Sequence, residues 1–207
     1  MLEEADTPVE VFEACRAFCS EMCDDPDCRD TVIYGGNNWY YAYGKSSAKE
    51  ILEDSAYLAE MTEGIENRPF MVMDDGWQID HSDSYNGGPW RVGNADYGDM
   101  GELAAQMRAK NVRPGIWFRP LYDHSADIPA EWRLERNAEV FDISVPDVLE
   151  HIAQDIRQLG DWGYELIKHD FSTYDIFGCW GFEMGTRLTN GCLLYTSPSP
   201  RDMRRSR

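Results

Sequence analysis

The chain has 207 residues, with 38 acidic against 19 basic side chains, a formal net charge of −19 and 43% apolar residues. The apolar fraction suits a globular core, while the charge excludes nucleic acid and anionic membrane as partners, whose phosphates it would repel. There is no run of about eighteen apolar residues for a membrane span, and the acidic opening MLEEADTPVE lacks the apolar core of a secretory signal. A cytoplasmic protein acting on a neutral substrate is expected.

Residues 8–24, PVEVFEACRAFCSEMCD, have helical spacing, and Pro26 breaks the helix, so residues 1–29 read as an N-terminal helical segment. Cys15, Cys19 and Cys23 recur along one side of it, followed by Cys28. That spacing is not a usual zinc pattern, so reduced thiols packed as small apolar groups are expected, and no metal site. TVIYGG at 31–36 reads as a short strand ending in glycines. SSAKEILEDSAYLAEMTEG at 46–64 is an amphipathic helix with Ile51, Leu52, Ala56, Leu58 and Ala59 on or near one face, a serine at its start and Gly64 near its end.

PFMVMDD at 69–75 is the second strand. The polar loop QIDHSDSYNGGPWRVGN leads to the helix DMGELAAQMRAKN and a third strand, RPGIWF, at 113–118. A further loop carries Tyr122, Asp123, His124 and Trp132. The helix VPDVLEHIAQDIRQLGDWG then feeds a fourth strand, YELIKHD, at 164–170. Apolar strands alternating with helices mark a parallel sheet with right-handed crossovers. Four βα units are half of a (βα)8 TIM barrel, so residues 30–191 are expected to form a partial, truncated barrel of the α/β class. An open doubly wound sheet is the rival, but no Gly-x-Gly-x-x-Gly follows the first strand, which counts against a dinucleotide cofactor.

From Cys192 the chain reads CLLYTSPSPRDMRRSR, an abrupt change to Ser, Pro and Arg. The stretch CLLYTSPSPRD resembles the in-frame translation of a transposase adaptor used in preparing sequencing libraries. Residues 192–207 are therefore expected to be a non-native tail, with the natural sequence running to about Gly191 and continuing beyond it in the intact gene. Without the tail the chain holds 15 basic and 37 acidic residues, a net of −22.

Parallel α/β folds bind ligands beyond the carboxyl ends of their strands, and this sequence concentrates polar and aromatic residues there. The first strand ends in Asn37, Asn38 and Trp39, the second in Asp74, Asp75 and Trp77, the third in Trp117 and Arg119, the fourth in Lys168 and Asp170. Neighbours on a strand face opposite ways, so Asp74 and Asp75 reach one mouth together only if the chain bends, which Gly76 permits. Acids, amides, a lysine and indoles around one rim suit a sugar. Lys168 and Asp170 lie two apart on one face, and a cation beside a carboxylate at a barrel rim is what a glycosidase nucleophile needs. His169 between them points the other way. His81 and His124 sit in polar loops, as solvated or substrate-lining side chains rather than catalytic ones.

NNWYYAYG, MVMDDGWQ, GPWRVGN with GIWFRP, and LIKHD together resemble the motifs of the α-galactosidase (melibiase) family, glycoside hydrolase family thirty-six, and its clan. The resemblance runs over about residues 30 to 180. It implies a retaining glycosidase acting on an α-galactoside oligosaccharide or glycoconjugate without a cofactor. Asp170 would be the nucleophile and Lys168 would contact sugar hydroxyls, with Asp74 and Asp75 on the C4 and C6 hydroxyls and Trp39 lining the pocket. Trp77, Trp117 and Arg119 complete the expected substrate-binding set. The sequence departs from the family in three ways: the preceding β-sandwich is absent, Arg119 stands where many members carry another residue, and the general acid/base, carried by a sixth strand in the family, would lie beyond Gly191. A transglycosylase of the same family and a non-catalytic carbohydrate-binding protein remain alternatives, and α-N-acetylgalactosamine or another α-linked hexose remain alternative sugars. The sequence carries no reading of oligomeric state, and the 207-residue chain alone is expected to be inactive.

Overall fold

A computed structural model of the chain describes residues 8–21 and 32–180. The chain divides into two compact units at Val32 and Ile33. The first contributes one described element, α1 (Pro8–Glu21); the expected continuation to residue 24 lies outside the described residues. Within it Cys15 is a free, exposed thiol rather than a packed one. The side chains of Cys19, Cys23 and Cys28, and the expected tail at 192–207, lie outside the described residues.

The second unit holds a four-stranded parallel sheet in the order β1 (Gly35–Asn37), β2 (Phe70–Met73), β3 (Arg113–Phe118) and β6 (Leu166–His169). Among the described residues strand order follows chain order with no reversal, so they show no switch point of the doubly wound kind. The winding is that of a (βα)8 barrel, represented by four βα units. Between the strands run α2 (Trp39–Ala42), α3 (Ala48–Met61), α4 (Met100–Ala109) and α5 (Pro146–Asp161), and α6 (Ser172–Phe177) follows the last. The loop expected before α5 contains a 3-10 turn (Ala130–Trp132) and an antiparallel hairpin of β4 (Arg133–Leu134) and β5 (Asn137–Phe141).

Local chemistry sets the helix starts. Ser47 caps α3 by accepting the Glu50 N–H, and Asp99 caps α4 by accepting the Glu102 N–H at 2.7 Å. Pro146 opens α5, where its missing N–H costs nothing. The main core joins Ile51 of α3, Met71 and Met73 of β2, Leu103, Ala104 and Met107 of α4, and Ile116 to Phe118 of β3, all buried. Val140, Phe141, Leu121 and Val148 form a second cluster under the hairpin. β1 is shorter than the expected 31–36. Its pairing begins at Gly35 opposite Phe70, and Val32 and Ile33, which precede the ladder, remain exposed.

Candidate active site

The carboxyl ends of β1, β2, β3 and β6 surround a pocket of about 230 Å3, lined by Trp39, Asp74, Asp75, Trp117, Lys168 and Asp170, with Phe171 and Trp180. At about 30 Å3 per water molecule that is room for seven or eight waters, the scale of one pyranose ring.

β2 ends at Met73, and the chain turns at Gly76, whose φ of +117° suits glycine alone. That turn brings both neighbouring acids to the pocket. Asp74 is 2% exposed and fully engaged. Its Oδ2 accepts from Lys168 Nζ at 2.6 Å and from Asn37 Nδ2 at 2.5 Å, while its Oδ1 accepts the Asp75 N–H at 2.9 Å. The Asp74 N–H donates to Asn38 Oδ1 at 2.7 Å. Asp75, 5% exposed, accepts Gln78 Nε2 on Oδ1 at 2.8 Å. Lys168 thus links strands β2 and β6, and it also lies 3.6 Å from Asp170 Oδ2.

Asp170 follows β6. Its Oδ2 accepts Trp117 Nε1–H at 3.0 Å and its Oδ1 accepts the Phe171 N–H at 2.9 Å. Its own N–H donates to the Phe118 carbonyl at 3.0 Å, extending the β3–β6 pairing. Phe171 has φ of +64°, a conformation that a bulky L residue adopts only under constraint, and it sits directly after the carboxylate. Three acids against one lysine make the pocket a poor host for an anion and a good one for hydroxyls, which donate to carboxylates.

Trp39, Asp74, Asp75, Trp117, Lys168 and Asp170 therefore come together as the sequence expects. Trp77 and Arg119 do not join them. Trp77 is fully buried, donates Nε1–H to the Trp117 carbonyl at 2.9 Å, and packs against Trp90 and Trp162. The bend at Gly76 that turns Asp75 outward also turns Trp77 into the core. Arg119 is 6% exposed. It makes a two-pronged pair with Asp175 of α6 at 3.0 and 2.5 Å, bonds Asn86, and lies between the rings of Tyr122 and Phe171. Its donors are committed inside the fold, so it holds α6 rather than a ligand.

Asn38, expected at the end of the first strand, is a buried anchor for Asp74 behind the pocket. Three residues at or behind the pocket escaped the sequence reading: Gln78 fixes Asp75, and Phe171 and Trp180 add rings 5.1 Å apart to the wall. Gln78 had a signal, since it ends the motif that carries the acids. Among the described residues no group of three or more His, Cys, Asp or Glu could hold a metal ion, and no helix is long and apolar enough to cross a membrane.

No protein-family model and no curated protein matches the chain. Solved structures do. The chain is similar to the galactosidase domain of an α-galactosidase-sucrose kinase, with a TM-score of 0.59 and 22% identity over 72% of this chain and 22% of that one. It is similar to an α-galactosidase from Thermus thermophilus in complex with p-nitrophenyl α-D-galactopyranoside, with a TM-score of 0.54 and 22% identity over 78% of this chain and 34% of that one. A GH36 α-galactosidase from Geobacillus stearothermophilus gives a TM-score of 0.53 and 24% identity over 68% of this chain and 21% of that one. The chain thus spans between about a fifth and a third of the length of these structures. At such identity the likeness is one of fold alone.

Proposed function

We propose that the chain is the sugar-reading part of a retaining glycoside hydrolase that acts on α-galactosides, with residues 30–191 belonging to its catalytic barrel. The observation that carries this reading is the line Asp74–Lys168–Asp170 across β2 and β6, at 2.6 and 3.6 Å, beside Trp39 and Trp117. The fold neighbours from Thermus thermophilus hold stachyose and p-nitrophenyl α-D-galactopyranoside, ligands of the proposed class.

In this reading Asp74, Asp75 and Lys168 bind sugar hydroxyls, and Asp170 attacks the anomeric carbon. A bond forms between the Asp170 carboxylate and that carbon as the bond to the leaving oxygen breaks. A second carboxylic acid, about 5 to 5.5 Å away, gives the leaving oxygen its proton; water later cleaves the glycosyl-Asp170 ester with that residue as base, so configuration is retained. Asp74 and Asp75 are the other carboxylates of the pocket and are bound into its hydroxyl-reading wall. The acid is therefore assigned to a residue outside the described ones.

The engaged state of Asp74 and Asp75 also suits a second reading, a carbohydrate-binding protein without catalysis, since a wall of fixed hydroxyl acceptors binds a sugar whatever Asp170 does. One experiment separates the two. With 5-fluoro-α-D-galactosyl fluoride the leaving group is fluoride, which needs no proton, so Asp170 alone can displace it. Mass spectrometry of the 207-residue chain is expected to find the fluorogalactosyl group on the peptide carrying Asp170, and on no peptide of Asp170→Asn. Galactose binding without an adduct selects the binding-protein reading, and absence of both overturns the galactoside assignment.

A further inference from the structure

Asp75 lines the pocket, while the next residue, Gly76, lines a second cavity of about 430 Å3 together with Lys45, Ser46, Glu50, His81, Asn94 and Asp96. From that side two side chains approach the same oxygen of Asp75. Gln78 Nε2 donates to Oδ1 at 2.8 Å, and its own Oε1 accepts the Gly76 N–H at 3.1 Å, so this amide is locked in place. His81 Nδ1 lies 3.3 Å from the same Oδ1. The His81 side chain is 17% exposed, and its Nδ1 is buried with no hydrogen bond. Asp75 is the one carboxylate within ion-pair distance of it among the described residues. The other charged residues that line the cavity with His81 are Lys45, which pairs with Asp83 at 3.4 Å, Glu50 and Asp96.

The other oxygen of Asp75, Oδ2, has no hydrogen bond or ion pair among the described residues, in contrast to Asp74, both of whose oxygens are occupied. A carboxylate rotates readily about its terminal torsion and must be held from behind to present one oxygen to a ligand. We propose that His81 is a positioning residue for Asp75, drawing Oδ1 away from the pocket so that Oδ2 accepts a sugar hydroxyl. Asp74 and Asp75 then divide the work: Asp74 clamps Lys168, and Asp75, set by Gln78 and His81, discriminates among sugars. The inference rests on the galactoside reading above.

The test is the affinity of the 207-residue chain for D-galactose, 4-deoxygalactose and 6-deoxygalactose, measured by calorimetry on wild type, His81→Leu, His81→Asn and Asp75→Asn. The deoxy sugar that Asp75→Asn binds as well as wild type does identifies the hydroxyl read by Asp75. His81→Leu is expected to lose about tenfold in galactose affinity, on the order of 1.4 kcal/mol, and nothing for that deoxy sugar. His81→Asn, whose amide nitrogen stands where Nδ1 stood, is expected to stay within about threefold of wild type. The double variant His81→Leu/Asp75→Asn is expected to bind no more weakly than Asp75→Asn alone. Should His81→Leu fail to fold, His81→Gln, which moves the amide to the place of Nε2, carries the same expectation. Equal losses for all three sugars, or additive losses in the double variant, would show a merely structural histidine and overturn the proposal alone. No binding of galactose by wild type would overturn the galactoside reading and the proposal with it.

Discussion

Lys168 at the end of β6 donates to Asp74 beyond the end of β2 at 2.6 Å, across 94 residues of sequence and the intervening strand β3. Asp74 is 2% exposed, whereas the lysine side chain is 37% exposed. The two partners are therefore not equivalent. Lys168→Met leaves a buried carboxylate held by neutral donors alone and is expected to cost about 2 kcal/mol in urea unfolding. Asp74→Asn leaves an ammonium that water can reach and is expected to cost less. The double variant should fall near Asp74→Asn. If the two single variants cost the same and add, the pair is not coupled as the geometry requires.

Gly76 sets the direction of both acids. Its φ of +117° is strained for any side chain, and an added Cβ would run into the Gly44 carbonyl. Gly76→Ala is expected to lower stability by about 2 kcal/mol or more. It is also expected to weaken galactose binding more than Lys168→Met does, because the turn carries Asp75 and Gln78 with it. A variant that melts like wild type would show that the bend does not depend on glycine.

How far the sequence carried the fold depends on where burial and pairing coincide. β3 was legible to the residue, Arg113–Phe118, because RPGIWF is apolar and flanked by its neighbours on both edges. β1 was not, because Val32 and Ile33 have strand chemistry but no ladder partner. The hairpin of β4 and β5 escaped because two and five residues are too short for a periodic signal. At the site, the strand-end rule found Asp74, Asp75, Lys168 and Asp170, since it needs only residue type and strand position. It misplaced Trp77 because the bend expected at Gly76 does not by itself say which way the next side chain turns, and Trp77 turns into the core. It misplaced Arg119 because no local pattern announces Asp175, 56 residues later, as its partner.

Arg119 and Asp175 form the most enclosed ion pair of the described residues, with side chains 7% and 1% exposed. The guanidinium also lies 4.4 Å from the centre of the Phe171 ring, next to Asp170. Lysine cannot reproduce the two-pronged contact or span both rings. Arg119→Lys is expected to destabilise by about 2 kcal/mol, and Arg119→Met, which strands the Asp175 carboxylate, by about 3 to 5 kcal/mol. Chemical denaturation measures both. Equal stability of Arg119→Met and wild type would mean that the pair contributes nothing and would reopen Arg119 as a ligand contact.

Asp155 of α5 gives the clearest pH dependence. It is 2% exposed, 3.6 Å from both His151 and Arg91. Burial pushes its carboxyl from 3.8 up to about 6; His151 and Arg91 pull it down, and the buried Asp123 adds to the rise. Because the folded-state value lies above the unfolded one, the folded chain keeps a proton that the unfolded chain releases between about pH 4 and pH 6. The contribution of this group is therefore most favourable at about pH 4, falls as pH rises to about 6, and is constant above. Asp155→Asn removes that dependence and carries no buried charge, and Arg91, which is more than half exposed, regains water when its partner goes. The variant is expected to match wild type near pH 4.5 and to be more stable by about 1 to 3 kcal/mol at pH 7.5, since a tenfold change in proton affinity corresponds to about 1.4 kcal/mol. Melting curves across that range measure the difference. A variant less stable than wild type at pH 7.5 would mean that the pairing with His151 and Arg91 outweighs the cost of burying the charge.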